Sequence, residues 1–207
     1  MLAVVPWDGA ELLDAKEADA QGYLELADWL SRAEKLWNKH KSSAMSLIER
    51  WDYHRGLATQ LPVAPIRVLY GASGALPVAA VLEAAEAVVE HGLYWSAVTS
   101  RAEGQFLACV LNSEAARSRV AHMQARGQWG ARHFDKLMFE LAIPRFKSTD
   151  ALHKDLAKAG KHAEAVAAAV ELPEGVHFVK ARRLIREALA EDGVGERIER
   201  LGERLLG

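Results

Sequence analysis

The sequence predicts an α+β protein, in which a small, mostly antiparallel sheet with packed helices lies between a helical N-terminal element and a helical C-terminal region. Apolar residues recur at helical spacing from Tyr23 to Trp51, strand-like runs fill the centre, and an alanine-rich helical pattern begins after Ser148. These patterns divide the chain into a weakly ordered lead-in, a helical element, an α+β core and C-terminal helices, over residues 1–20, 21–60, 61–147 and 148–207.

The first helix is expected to bury an aromatic and aliphatic stripe. Ser42 or Ser43 is expected to cap a second helix that ends near Trp51. The stripe favours an ordinary core face, and the alternative is a docking face for another domain. Its members are Tyr23, Leu26, Leu30, Ala33 and Trp37, broadened by Trp29 and Leu36.

The centre of the chain contains short runs typical of strands. Gly71–Gly74 is expected to form a turn, and it lacks the Lys-Ser/Thr ending of a phosphate-binding loop. Pro144 is expected to end the last strand because proline cannot continue a hydrogen-bonded ladder. The predicted strands span residues 66–70, 78–82, 87–89, 93–98 and 137–143.

Three later helices carry recognisable start signals. Ser100 is expected to cap the first with Glu103 in the reciprocal position, Ser113 the second, and Asp150 the third. The final helical stretch is interrupted at Asp192-Gly193, where glycine favours a helix end.

The composition excludes several classes of protein. Of 207 residues half are hydrophobic and the formal net charge is -2, which argues against a surface that binds nucleic acid throughout but leaves room for a local basic patch. The single cysteine, Cys109, lies in an apolar run and fits a reducing cytoplasm. No apolar run reaches the length of a membrane span, so no membrane partner is expected. No His-Glu-x-x-His or Cys-x-x-Cys spacing occurs, so no metal site is expected.

One polar loop is the strongest candidate for a binding site. Gly127 and Gly130 interrupt the helical pattern, and Arg and Gln are planar donors suited to base edges and phosphates. A purely structural alternative is that Arg132 and His133 tie down the loop by hydrogen bonding to carbonyl groups. Residues 111–150 contain seven Lys or Arg and four Asp or Glu, a local excess of three positive charges in a negative chain. The candidate residues are Arg126, Gln128, Trp129, Arg132, His133 and Lys136.

Three segments resemble the C-terminal target-recognition region of large N6-adenine DNA methyltransferases, including fused restriction-modification enzymes. They are Leu-Asn-Ser at 111–113, Gln-Ala-Arg-Gly-Gln-Trp-Gly-Ala-Arg-His-Phe-Asp-Lys at 124–136 and Leu-Ala-Ile-Pro-Arg-Phe at 141–146. The resemblance extends from about Ala33 to the C-terminus. It implies double-stranded DNA as a partner and a catalytic methyltransferase domain in cis or in trans.

The motifs for catalysis in those enzymes are missing from this chain. It has neither the glycine-rich loop for S-adenosylmethionine nor an Asn/Asp-Pro-Pro-Tyr/Phe sequence, so we expect no cofactor and no chemistry from this chain alone. The alternative is a protein-protein docking module for a methyltransferase or nuclease, without DNA contact. A small-molecule enzyme would require a deep pocket with convergent polar groups.

Overall fold

The computed structural model describes residues 3–72, 78–124, 126–127, 130–131 and 134–207, with the main chain alone for residues 126–127, 130–131 and 135. The predicted turn at residues 71–74 lies partly outside this range. The chain divides into two compact units, residues 1–64 with 87–89 and residues 65–86 with 90–207.

The first unit is helical, with α1 (Ala15–Ala20), α2 (Leu24–His40) and α3 (Leu47–Trp51) followed by two 3-10 turns. Helix α1 begins at Asp14, whose side chain accepts from the Glu17 N–H while the Glu17 carboxylate accepts from the Asp14 N–H. Leu13 and Ala18 are buried. The sequence predicts a weakly ordered lead-in over residues 1–20. The described part of this segment instead contains a capped helix and buried residues.

The stripe on α2 contributes to the core of this unit, but two of its predicted members are exposed. Leu30 is fully buried, and Leu26 and Trp29 pack beside it. Tyr23 is 48% exposed and Leu36 is 62% exposed, so these two do not belong to the core. Ser46, rather than Ser42 or Ser43, caps α3, because Ser46 lies directly before the first helical residue and accepts from the Glu49 N–H.

The second unit is built on a three-stranded antiparallel sheet, β1 (Ile66–Gly71), β2 (Ala79–Glu83) and β3 (Leu93–Ala97), in the order β2-β1-β3. Val68 on the central strand lies opposite Val81 and Ser96 and is fully buried. The sheet and its helices confirm the predicted α+β class.

Ala87–Val89, predicted as a strand, has no strand partner among the described residues. The main-chain N–H of Val89 donates to Gln60 Oε1 at 2.6 Å, and the Val89 carbonyl accepts from Gln60 Nε2 at 2.9 Å. A buried glutamine thus satisfies the groups that a sheet neighbour would otherwise pair.

Helices cover the sheet and continue to the C-terminus. Ser100, Ser113 and Asp150 cap three of them, as predicted. The Glu103 carboxylate accepts from the Thr99 N–H rather than from that of Ser100. The helices are α4 (Arg101–Leu111), α5 (Glu114–Ala121), α6 (Ala151–Ala168), α7 (Phe178–Asp192) and α8 (Val194–Leu206).

Helix α4 separates two apolar cores. On one side, Leu111 packs with Val68 and Tyr70 of the sheet. On the other, Phe106 and Val110 pack with residues of α6 and α8. The C-terminal helices are therefore part of the same compact unit as the sheet.

The prediction of a strand over residues 137–143 is wrong. Asp135–Glu140 forms a 3-10 helix, and the chain from Leu141 to Pro144 is irregular. The reason is tertiary packing: Met138 is fully buried, whereas Phe139 is 38% exposed and meets the Tyr70 ring edge-on at 4.9 Å. A local preference for strand is overridden by these contacts.

Candidate nucleic-acid interface

The polar loop contains a minimal antiparallel hairpin. Two-residue strands β4 (Arg126–Gly127) and β5 (Gly130–Ala131) pair, with Arg126 opposite Ala131 and Gly127 opposite Gly130. Glycines at the inner pair permit close backbone approach. The other candidates, Gln128, Trp129, Arg132 and His133, lie outside the described residues.

Core residues hold the chain on both sides of this hairpin. Before it, Val120 on α5 is fully buried. After it, Phe134 and Met138 are fully buried, and the Phe134 N–H donates to the Ala72 carbonyl at 2.8 Å. Lys136 lies between these two buried residues and is exposed. The hairpin is thus carried on a packed framework.

Arg117 and Arg119, part of the local basic excess, have partners within the protein. The Arg117 Nε–H donates to the Glu114 carboxylate at 2.6 Å, and this contact holds the pKa of Glu114 below its ordinary value. Arg119 donates to the carbonyl groups of Leu206 and Gly207 at the end of α8. Both arginines therefore make contacts within the fold, and Arg119 also places a cation at the C-terminus of α8, where it interacts favourably with the helix dipole.

Among the described residues between positions 111 and 150, the exposed basic side chains are Lys136, Arg145 and Lys147. Three described carboxylates in residues 111–150 are also exposed, Glu114, Glu140 and Asp150, and Asp150 accepts a hydrogen bond from the His153 N–H at the start of α6. Lys136 is the predicted site residue whose side chain is seen to face solvent.

The second unit also contains a cleft of about 620 Å³, which the sequence analysis does not anticipate. The small residues Gly160, Ala163 and Ala167 of α6 leave space next to α7. Their spacing along one side of the helix is the sequence signal that would have indicated the cleft. Carboxylates at its edge are already bonded: the Glu199 carboxylate accepts from the Glu114 N–H at 2.6 Å, and Glu164 accepts from Gln105 and Arg101. Its wall is mostly apolar, including Ala108, Cys109, Ile185, Leu189 and Ile198.

The described part of the chain shows neither a metal site nor a membrane-spanning helix. It contains no group of three or more His, Cys, Asp or Glu side chains placed to hold a metal ion. Its helices are each too short or too polar to cross a lipid bilayer.

Comparison with protein-family models, curated proteins and solved structures finds no match to this chain.

Proposed function

We propose that this chain is a non-catalytic DNA target-recognition segment of an N6-adenine DNA methyltransferase or restriction-modification enzyme. Its partners are double-stranded DNA and a catalytic methyltransferase domain in cis or in trans, in the cytoplasm. One observation carries the proposal. The paired residues Gly127 and Gly130 lie between the buried residues Val120 and Phe134, in the segment that most clearly resembles those enzymes.

A packed framework matters because recognition of a base requires a donor pair held in a defined orientation. Gln128 and Arg132 are assigned to base edges, where bidentate hydrogen bonds distinguish one base pair from another. Arg126 and Lys136 are assigned to phosphates, which position the duplex but carry no sequence information. Trp129 and His133 are assigned to shaping the loop.

A second candidate is a docking module that binds a methyltransferase or nuclease without touching DNA. The exposed Leu24 and Leu36 side chains on α2, at 66% and 62%, favour it, as does the formal charge of -2. The two proposals differ in one respect that can be measured: the docking module has no salt-dependent affinity for DNA.

The deciding experiment compares Arg132→Ala and Lys136→Ala for both melting temperature and DNA affinity across a salt series. If Arg132 contacts a base edge, its loss should cost about 1–3 kcal/mol of binding and relax preference at one base pair. If Lys136 contacts a phosphate, its loss should weaken all sequences alike and reduce the salt slope by about one unit.

Lys35→Ala is the matched control for Lys136→Ala, because Lys35 is an exposed lysine of the first unit. The recognition assignment fails if Arg132→Ala merely unfolds the chain while Lys136→Ala binds DNA like the wild type at every salt concentration. We also expect calorimetry to detect no S-adenosylmethionine binding, since the cofactor loop is missing.

A further inference from the structure

Helix α6 presents an exposed face that carries three lysines. Lys154, Lys158 and Lys161 are spaced i, i+4 and i+7, so they lie within about 60° of one another around the helix, and all three are exposed. We call these three residues the lysine face. The other exposed residues on this side are Ala151, Ala165 and Ala168, with the N-cap residue Asp150 at one end and His162, which lies 3.2 Å from the Asp192 carboxylate, at one edge.

The charges of the lysine face are not neutralised within the described structure. None of the three lysines makes an ion pair or a side-chain hydrogen bond with a described residue, and the neighbouring Asp155 makes no ion pair with them. Glu164, near the end of the helix, is already bonded to Gln105 and Arg101. The positive field of this face is therefore directed to solvent.

Such an arrangement does not stabilise the isolated helix. Like charges at i, i+3 and i, i+4 destabilise a helix by about 0.2–0.5 kcal/mol per pair. The buried side of α6, with Leu156 and Ala159, already fixes the helix against α4. One acidic residue three or four positions from each lysine offsets part of this repulsion, namely Asp150, Asp155 and Glu164. Residues 145–161 nevertheless contain five Lys or Arg and two Asp, a local excess of three positive charges, and a polyanionic partner accounts for this excess.

The dimensions of the lysine face fit a nucleic-acid backbone. Seven residues of α-helix advance about 10 Å, and one DNA strand carries a phosphate every 3.4 Å or so along the axis, which is about three phosphates over that length. Arg145 and Lys147, both exposed, lie six and four residues before the first residue of the helix, with Asp150 between them and it, and they add positive charge to this part of the chain.

We propose that the lysine face binds the phosphate backbone of double-stranded DNA without reading its sequence. This inference rests on the proposed function for the identity of the partner, and it assigns to α6 a contact separate from the polar loop. Its role is to supply affinity and to position the duplex, while base contacts elsewhere supply specificity.

The test uses the 207-residue chain and a 30-base-pair duplex, with affinity measured between about 50 and 200 mM salt. The face variant is Lys154→Gln/Lys158→Gln/Lys161→Gln. The control is Lys16→Gln/Lys35→Gln/Lys39→Gln, which removes the same charge from exposed lysines of the first unit. A third variant replaces the three lysines of the face by arginine, and melting temperatures are measured for all.

Three lost phosphate contacts should lower the salt slope by about 2.7, so that the wild type loses about 40-fold more affinity than the face variant over this range. The control and the arginine variant should keep the wild-type slope. The melting temperature of the face variant should stay close to that of the wild type, because the repulsion removed between lysines offsets the attraction lost to their acidic neighbours.

Different results separate this inference from the proposed function. If the wild type binds DNA and the face variant keeps its full slope, the lysine face is not a DNA contact, although target recognition stands. If the wild type shows no salt-dependent binding to any duplex, both proposals are wrong. A third result is a reduced salt slope in the face variant together with an unchanged sequence preference in Arg132→Ala. It would support a DNA contact by the lysine face and contradict the proposal that Arg132 reads a base.

Discussion

The main-chain N–H of Phe134 donates a 2.8 Å hydrogen bond to the carbonyl oxygen of Ala72, just beyond strand β1. The chain that follows the paired strands β4 and β5 is therefore bonded to the end of the sheet at Phe134. The Phe134 side chain is fully buried in the core beside Tyr70 and Met138. Orientation of the polar loop thus depends on a residue that cannot itself reach a partner.

Phe134→Ala should destabilise the chain by about 3–5 kcal/mol, because it removes a fully buried ring and leaves a cavity. For a chain of this size the melting temperature should fall by about 6–20 °C. Phe139→Ala is the matched control, since Phe139 lies five residues on and is 38% exposed. Thermal unfolding followed by circular dichroism checks this, and equal losses in the two variants would show that the Phe134 ring is no more buried than that of Phe139.

Gly160→Ala should destabilise the contact between α4 and α6, although alanine favours helix by about 1 kcal/mol over glycine. A Cβ at position 160 would lie 2.3 Å from the main-chain oxygen of Gln105, which cannot rotate away as a side chain would. Overpacking of this kind typically costs about 1–3 kcal/mol, so the clash outweighs the gain in helix propensity.

Gly195→Ala on α8 provides the control for this substitution. Its Cβ would meet Leu189 O at 3.5 Å, an ordinary van der Waals distance. Gly195→Ala should therefore match or exceed the wild type in denaturant unfolding, while Gly160→Ala falls below it. A stable Gly160→Ala would mean that the two helices are not in backbone contact.

Elements determined by neighbouring residues could be predicted from the sequence. Ser100, Ser113 and Asp150 each cap a helix through a hydrogen bond that spans three residues, so the signal is complete within one short segment. Residues 137–143 were mispredicted because Met138 and Phe139 are placed by contacts with distant strands, which outweigh local alternation.

The candidate site divides in the same way. The pairing of Arg117 with Glu114 is a helical i, i+3 contact that the sequence already displays. The bonds from Arg119 to Leu206 and Gly207 connect residues 87 and 88 positions apart, so they become visible only in the folded chain. The three members of the lysine face are spaced at helical intervals within one segment, whereas their exposure becomes visible only in the folded chain.

Cys109 should be unreactive in the folded chain, even though it lines the cleft. Burial raises the pKa of its thiol to about 12, and the residue is 2% exposed, so the reactive thiolate is scarce at pH 8. A coloured disulfide reagent should label the native chain negligibly and label the guanidinium-unfolded chain with one equivalent. Rapid stoichiometric labelling of the native chain would show that the cleft opens widely enough to expose α4.

Glu199→Gln should raise the melting temperature at pH 7. Burial raises the pKa of Glu199 above its ordinary value of 4.5. The hydrogen bond from the Glu114 N–H opposes this shift, and repulsion from the Glu114 and Glu203 carboxylates reinforces it. The folded state therefore binds this proton more tightly than the unfolded state, so the stabilisation is fully present below about pH 4.5 and is lost as the pH rises through the folded-state pKa. Glutamine cannot ionise, yet it retains an oxygen that accepts from the Glu114 N–H.

The gap between Glu199→Gln and the wild type should consequently be largest at neutral pH and should close as the pH falls below about 4.5. Glu171→Gln is the control, because Glu171 is exposed and lies outside the helices, so its replacement should leave the melting temperature unchanged at each pH. Melting curves of the three proteins between pH 4 and pH 8 provide the measurement. A lower melting temperature for Glu199→Gln than for the wild type at pH 7 would contradict this prediction. It would show that the hydrogen bond from the Glu114 N–H to the ionised carboxylate stabilises the fold by more than the burial of that charge destabilises it.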